Sequence, residues 1–220
     1  MSVPGVSWAA TTPPPRAEHR PPAGRATTFF MERIVALLPI YTYNHSVLRK
    51  KAKTLKRPDA GLVRAADDML ETMHKANGIG LAANQVGLLQ RLIVVDMTGS
   101  EGVEAFEPLV MFNPAVVDEE GKWVLEEGCL SIPELRDEVE RAERIRVTYR
   151  DRNFDERELE ATGMLSRVIL HEVDHLDGIL FVDHLNLLKR KLHRGRLNKI
   201  DRGDLQVEYE VVPNQPKVIG

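Results

Sequence analysis

The sequence predicts an α+β fold in which small mixed or antiparallel sheets pack around a central metal-binding helix, with a second helix near the C-terminus. Strand-like segments precede the central helix and do not alternate with helices, which is typical of α+β rather than βαβ architecture. An H-E-x-x-H stretch from His171 to His175 marks that central helix as the metal-binding one.

The composition is that of an ordinary one-domain globular protein. The 220 residues are 43% hydrophobic and 29% charged, as expected for a chain that buries a core. The net charge of −3 does not favour nucleic-acid or membrane partners, and no apolar run approaches the roughly 20 residues of a membrane span. The single cysteine, Cys129, excludes an internal disulfide and favours a reducing compartment, so we expect a cytoplasmic protein.

The chain divides into three parts. Residues 1–30 contain two proline clusters and no apolar periodicity, which predicts a disordered N-terminal extension. Three arginines against one glutamate in that stretch leave an organellar presequence as a minor alternative. The folded, functional domain is expected over 31–203, and residues 204–220 form a C-terminal tail.

Periodicity predicts the first helix and the strands. After Pro58-Asp59, apolar residues at helical spacing predict a helix over 60–76, which ends at Asn77-Gly78. Pro114 separates two of the predicted strands. Apolar and β-branched runs predict strands over 91–97, 109–113, 116–117, 122–125 and 145–149.

Two later segments are predicted to be helical. An apolar stripe predicts a helix over 163–176, with Gly178 where a C-cap belongs. A second helix, basic on one face, is expected over 185–200. The V-E-Y-E-V-V stretch at 207–212 alternates and is typical of a strand.

The H-E-x-x-H stretch predicts metal-assisted hydrolysis. His171 and His175 share one helix face, so both imidazoles can bind one ion while Glu172 faces a metal-bound water. A buried, hydrogen-bonded histidine pair is the alternative. The surrounding helix is apolar, however, and a half-buried Glu172 favours a nearby cation because an unpartnered buried carboxylate is costly.

A catalytic metal site also needs a third protein ligand and an open position for water. Phe181 stands where a metzincin has its third histidine, which excludes that class. Glu208 and Glu210 lie in the strand-like tail, so a thermolysin-like site is weakly supported. Cys129, within 127–131, is a better candidate, although a lone cysteine is usually structural. A Cys–His–His set leaves one position for water and tolerates ferrous iron.

A third stretch, G-I-G-L-A-A-N-Q at 78–85, supplies small residues followed by an amide. Glycine and alanine let the backbone approach a ligand closely, and Gln85 can donate a side-chain N–H to an oxyanion. A nucleotide-binding loop is disfavoured, because no Lys-Ser/Thr pair follows and the stretch comes after a helix.

Together the three stretches resemble the signature of the peptide deformylases. They read G-I-G-L-A-A-N-Q at 78–85, E-G-C-L-S at 127–131 and L-H-E-V-D-H-L-D-G at 170–178, and the similarity extends over about 38–199. The resemblance implies an iron-dependent hydrolase of the bacterial type. Such an enzyme removes the formyl group from the N-terminal formyl-methionine of nascent peptides and releases formate.

The resemblance also implies a role for each site residue. Glu172 would be the general base and acid toward a metal-bound water that attacks the formyl carbon. Gln85 and the backbone N–H of Leu130 would hold the oxyanion. The metal would be Fe²⁺, one per chain, with Zn²⁺, Ni²⁺ or Co²⁺ able to replace it. Its ligands would be Cys129, His171 and His175.

The family resemblance extends to substrate binding. Ile79, Leu125 and Val168 would form an apolar pocket for the methionine side chain, and Gly80 would contact the peptide backbone; plain core is the alternative for the three apolar residues. Leu170 stands where the family usually has glutamine. Because it precedes the first histidine, the replacement bears on metal retention and ligand orientation.

Partners and competing hypotheses follow from the same features. The basic residues at 189–191 form either a solvated helix face or, as in bacterial members of the family, a docking site near the ribosomal exit tunnel. No membrane partner and no specific nucleic-acid recognition are expected. An H-E-x-x-H endopeptidase and a metal-binding protein made inactive by Leu170 are the two competing hypotheses.

Overall fold

A computed structural model of the chain describes residues 36–101, 103 and 106–215, so the predicted N-terminal extension over 1–30 lies outside the described residues. The described helices are α1 (Ala60–Lys75), α2 (Gly163–Leu176) and α3 (Leu187–Asp201). None of them is long and apolar enough to cross a bilayer. The described strands are β1 (Ile40–Tyr41), β2 (Gly80–Ala82), β3 (Leu92–Val95), β4 (Leu109–Glu120), β5 (Trp123–Cys129), β6 (Ile132–Arg141), β7 (Arg144–Arg150), β8 (Glu156–Thr162) and β9 (Val211–Val212).

The strands form three small sheets. Five strands make an antiparallel sheet in the order β2-β3-β4-β7-β8. A separate antiparallel hairpin joins β5 to β6, and β1 pairs in parallel with β9. This arrangement confirms the predicted α+β fold with small mixed and antiparallel sheets and a C-terminal helix.

The five-stranded sheet lies between α1 and α2. Leu92 and Val94 of β3 pack in a hydrophobic cluster with Met69 of α1. Ile93 and Val95, which point to the opposite face of the sheet, pack with the apolar side of α2. Burial on both faces explains why β3 is apolar throughout rather than alternating. Helix α2 is therefore central, as the sequence predicts.

Local signals set the ends of these helices. Asp59 caps α1, because its carboxylate accepts a hydrogen bond from the N–H of Leu62 at 2.8 Å. Helix α2 has the predicted limits, and Gly178 follows it with a φ of 78°. A Cβ at Gly178 would lie 2.7 Å from the carbonyl oxygen of Arg49, so a larger residue would both strain the turn and displace that backbone.

The region around Pro114 differs from the prediction. Two strands separated by this proline are expected, but β4 is continuous from Leu109 to Glu120, so the break is wrong. The pairing of β4 with β7 shifts register between Phe112 and Ala115, on either side of the proline. A bulge leaves a residue outside the hydrogen-bond ladder, and it therefore tolerates a proline that has no N–H to donate.

Strands β6 and β8 are not predicted from sequence, and the strand predicted in the tail is shorter than expected. Strand β6 buries Ile132, Leu135 and Val139 among charged residues, and β8 contains five charged or hydroxyl side chains that remain exposed. In the tail, the predicted strand over 207–212 is limited to Val211–Val212. Strands β6 and β8 form because each pairs with the strand directly before it, β5 and β7, and β9 forms because it pairs with the distant β1.

Candidate metal centre and active site

Two elements bring the predicted metal ligands together. Cys129 ends β5, and His171 and His175 lie one turn apart on α2. Cys129 Sγ is 3.1 Å from His175 Nε2, and ligand atoms of all three residues lie within 4.8 Å of one another. Both histidines are buried and the cysteine is half-buried. The third ligand proposed from sequence therefore lies beside the other two.

The donor set fits a divalent transition metal. Ligands about 2.0–2.3 Å from a tetrahedral ion are roughly 3–4 Å from one another, which is near the spacing of these atoms. A thiolate with two imidazoles suits zinc or ferrous iron better than magnesium or calcium. Among the described residues, the buried oxygen Glu172 Oε2 has no hydrogen-bond partner, so it remains available to a group bound in this site.

Glu172 is a buried carboxyl group next to the ligands. Burial raises its pKa to about 7, although the positive charges of His171 and Arg141 oppose this shift. A carboxyl group with a pKa near neutrality can both accept and return a proton. Gly80 permits β2 to approach this side chain, because a Cβ there would lie 2.6 Å from Glu172 Oε1 and 2.7 Å from Val168 Cγ1.

Gln85 presents its amide to the same site. Its Oε1 accepts a hydrogen bond from the N–H of Ala82 at 2.7 Å, which fixes the orientation of the amide. Its Nε2 then donates to Ser131 Oγ at 3.2 Å and lies 3.7 Å from Cys129 Sγ. A short 3₁₀ helix, Ala83–Val86, places the side chain there. The amide donor predicted from sequence thus lies beside a predicted metal ligand.

Glu127 holds His171 in place. His171 Nδ1 lies 3.0 Å from Glu127 Oε2, and Arg141 and Arg167 donate to the same carboxylate. Burial by itself raises the pKa of Glu127, but hydrogen bonds with His171 and Arg141 hold it at about 2. A carboxylate on Nδ1 orients the imidazole so that Nε2 can bind a metal.

No role is predicted for Glu127 from sequence, although its position beside Cys129 is a signal for one. Glu127 and Cys129 are two positions apart on β5, and each contacts a histidine of α2. Arg141 and Arg167, in contrast, come from β6 and α2 and carry no local signal. Their convergence on one carboxylate depends on tertiary packing.

A cavity opens onto these groups. Ile79, Gly80 and Val168, three of the four residues predicted to contact the substrate, line it. The fourth, Leu125, does not line the cavity within the part of the chain that the structure describes. Its backbone carbonyl accepts a hydrogen bond from Arg167. The site residues in the lining are Gln85, Cys129, Leu130, His171 and Glu172. Residues that the sequence analysis does not single out also line it, among them Met164, Val207 and Tyr209.

The sequence model of the polypeptide deformylases matches residues 37–191, well over half of the chain. The chain belongs to the peptide deformylase family. The resemblance seen in the three motifs is thereby confirmed, and with it the assignment to a family of metal-dependent hydrolases. The competing hypothesis of an unrelated H-E-x-x-H endopeptidase does not account for this match.

Individual peptide deformylases are similar over nearly their whole length. That of Salinibacter ruber is 48% identical over 191 residues, which cover 83% of this chain and 98% of the relative. The crystal structure from Thermus thermophilus has a TM-score of 0.68 at 45% identity, covering 74% of this chain and 97% of that one. A structure from Acinetobacter baumannii with Met-Ala-Ser bound has a TM-score of 0.66 at 33% identity, covering 69% of this chain and 100% of that one.

The three peptide deformylase motifs converge from different elements. Residues 78–85 lead through β2 into the 3₁₀ helix, 127–131 end β5 and begin the turn to β6, and 170–178 form the end of α2 and its C-terminal turn. Leu170, where the family usually has glutamine, is buried in the apolar cluster between α2 and the sheet. An apolar side chain therefore suits this position in the present chain.

Proposed function

We propose that this protein removes the formyl group from the N-terminal formyl-methionine of newly made polypeptides and releases formate. The proposal rests on three potential ligands that lie close together, two of which, Cys129 and His171, line one cavity with Glu172 and Gln85. Membership of the peptide deformylase family supports the reaction class. The Acinetobacter baumannii relative, which binds Met-Ala-Ser, supports a peptide that begins with methionine.

Glu172 is proposed to carry the proton through the reaction. It accepts a proton from the attacking water, and it returns that proton to the amine nitrogen as the formamide C–N bond breaks. Water thus supplies the new oxygen of formate, and the peptide leaves with a free N-terminal amine. The buried position of Glu172 and its pKa near 7 support both directions of transfer.

Cys129, His171 and His175 would hold the metal, for which we propose Fe²⁺, with Zn²⁺, Ni²⁺ or Co²⁺ able to replace it. Such an ion, when bound, supplies Lewis-acid character and makes a water molecule acidic near neutral pH. Glu127 keeps the His171 ring oriented through the contact at Nδ1.

Gln85 and Leu130 are proposed to stabilise the oxyanion. Ala82 directs Gln85 Nε2 toward Cys129, so this donor is already oriented before substrate arrives. The backbone N–H of Leu130 is the second proposed donor, and Leu130 borders the same cavity. Preoriented donors of this kind are each worth about 10²–10³ in rate.

The cavity supplies the proposed binding site for methionine. Ile79 and Val168 present apolar surface, and Gly80 leaves room for the peptide backbone. Met164 lines the same cavity and extends this apolar surface. Leu125 remains a prediction from the family resemblance.

Formate release from a formyl-Met tripeptide tests the function. We expect the anaerobically iron-loaded protein to release formate from this peptide, and to act on neither the unformylated tripeptide nor casein. Absence of formate would refute the proposal, and cleavage of casein would instead support an endopeptidase. Metal analysis of anaerobically purified protein tests the proposed iron.

We further propose that the protein acts in the cytoplasm, close to the ribosomal exit tunnel. Helix α3 exposes Leu187, Leu188 and Leu192 beside its basic residues. Lys189 contacts Asp137 at 2.6 Å, and Arg190 lies 3.8 Å from Asp183. Of the three basic residues at 189–191, Lys191 is therefore the one chosen for charge reversal. Replacing Lys191 with Glu should reduce ribosome co-sedimentation, and unchanged co-sedimentation would count against this partner.

A further inference from the structure

The C-terminal tail folds back to the active-site cavity. We call residues 205–212 the tail segment. Within its first six residues Leu205, Val207 and Tyr209 are half-buried, whereas Gln206, Glu208 and Glu210 are exposed. Two of these half-buried residues, Val207 and Tyr209, line the same cavity as Cys129 and Glu172. The tail segment begins beyond residue 191, where the family match ends.

Both ends of the tail segment are held by the rest of the protein. Leu205 packs against the hydrophobic cluster that contains Leu197 and Ile200 of α3. At the other end, β9 pairs with β1: the N–H of Ile40 donates to the carbonyl of Glu210 at 2.9 Å, and β9 continues the ladder. The intervening residues therefore have a defined path along the cavity.

Tyr209 contacts the residue next to the proposed cysteine ligand. Its phenolic O–H donates a hydrogen bond to the backbone carbonyl of Leu130 at 2.9 Å. The side chain of Leu130 packs against Gly78, where a Cβ would lie 2.7 Å from Leu130 Cδ1. Leu130 is thus held between the tail segment and the 78–85 loop. Burial also raises the pKa of Tyr209, so the phenol stays protonated and remains a donor.

We propose that the tail segment forms one wall of the peptide-binding cleft, in which Val207 contacts the bound peptide and Tyr209 positions the backbone of Leu130. The inference rests on the proposed function, because Leu130 matters to the rate as an oxyanion donor. It assigns Tyr209 as a positioning residue that acts through Leu130. It assigns Val207 to substrate binding.

Two conservative variants separate these roles. Tyr209→Phe removes the hydrogen bond and keeps the ring, so kcat for a formyl-Met tripeptide should fall about two- to tenfold while KM changes little. Val207→Ala removes two methyl groups from the wall, so KM should rise about two- to tenfold while kcat changes little. Glu208→Gln is the matched control, because this side chain lies on the same segment and is exposed.

Calorimetric binding of the unformylated tripeptide to the metal-loaded protein gives a readout besides activity. Val207→Ala should weaken this binding, and Tyr209→Phe and Glu208→Gln should not. Thermal unfolding of all three variants serves as the test of folding.

The inference is overturned if Tyr209→Phe and Val207→Ala, both folded, retain wild-type kcat, KM and tripeptide affinity. It is also overturned if Glu208→Gln reproduces their losses, since the segment would then matter only for stability. A wild-type protein that releases no formate refutes the proposed function instead. In that event, wild-type affinity of Val207→Ala for the tripeptide still overturns the proposal that the tail segment forms a wall of the peptide-binding cleft.

Discussion

At the scale of the residue, the proposed active site contains two buried carboxyl groups whose pKa values are shifted in opposite directions. Glu172 has no charged partner at hydrogen-bond distance among the residues that the structure describes, and burial raises its pKa to about 7. Glu127 receives hydrogen bonds from His171 and Arg141, and these hold its pKa at about 2. One side chain can therefore exchange a proton near neutral pH while the other remains a fixed anion that orients His171, a proposed metal ligand.

Glu172→Gln should lower kcat for formate release by about 10²–10⁴-fold, because the amide cannot accept the proton of water. The metal should stay bound, since Glu172 is not among the proposed ligands. Formate assay and metal content of the same preparation measure the two effects. Turnover retained by this variant would contradict the acid–base role.

Glu127→Gln should weaken metal binding by about 10–100-fold, because His171 loses the carboxylate that orients it. The variant should also be less stable by about 3–5 kcal/mol, since Arg141 and Arg167 keep buried charges without their shared partner. Chelator competition and urea unfolding provide the measurements.

Glu140→Gln is the control for this variant, because its ion pair with Lys122 is exposed and should contribute little to stability. Equal effects of the two substitutions would show that Glu127 has no special role.

At the scale of the element, the site depends on how closely β2 approaches α2. Gly80 lies against Glu172 and Val168, and a Cβ at this position would overlap both side chains. Strand β2 belongs to the 78–85 motif and α2 to the 170–178 motif. Because Gly80 has no side chain, these two motifs can lie in contact. The small residues of the 78–85 stretch therefore have a packing role as well as a proposed role in substrate binding.

Gly80→Ala should destabilise the protein by about 1–3 kcal/mol through overpacking, and it should lower activity because Glu172 is displaced. Gly195→Ala is the matched control: no atom lies within 4 Å of a Cβ there, and alanine in a helix should stabilise by about 0.5–1 kcal/mol. Urea unfolding and formate assay test both variants. Full activity and stability of Gly80→Ala would show that the contact yields easily.

At the scale of the whole molecule, an ion pair joins segments far apart in the chain. Arg49 contacts Asp183 across 134 positions and also donates to the carbonyl of Gly178 at 3.3 Å. Asp183 also accepts from the N–H of Leu180 at 2.8 Å. The contact thus attaches the segment before α1 to the turn that follows α2.

Asp183→Asn tests this contact through pH. Burial by itself raises the pKa of Asp183, but hydrogen bonds from Arg49 and Leu180 lower it overall. A lowered folded-state pKa contributes stability that is present above the unfolded value of about 4 and is lost as pH falls through the folded value.

We expect Asp183→Asn to lose about 1 kcal/mol at pH 7, a figure reduced by solvent screening, and to approach wild type as the pH falls. Urea unfolding from pH 7 to pH 3 measures the difference. If the difference in free energy of unfolding between the two proteins does not decrease as the pH falls, the proposed role of the Asp183 charge is contradicted.

The sequence by itself determined the helix α2, the shared face of His171 and His175, and the three motifs that indicate the family. These features follow from spacing along the chain, since local geometry decides which side chains share a face. Only the tertiary structure decided that β4 continues through Pro114, that Arg141 and Arg167 meet on Glu127, and that the tail segment reaches the cavity. Those outcomes depend on pairing and packing between residues that are distant in sequence, and no local pattern encodes which distant partners will meet.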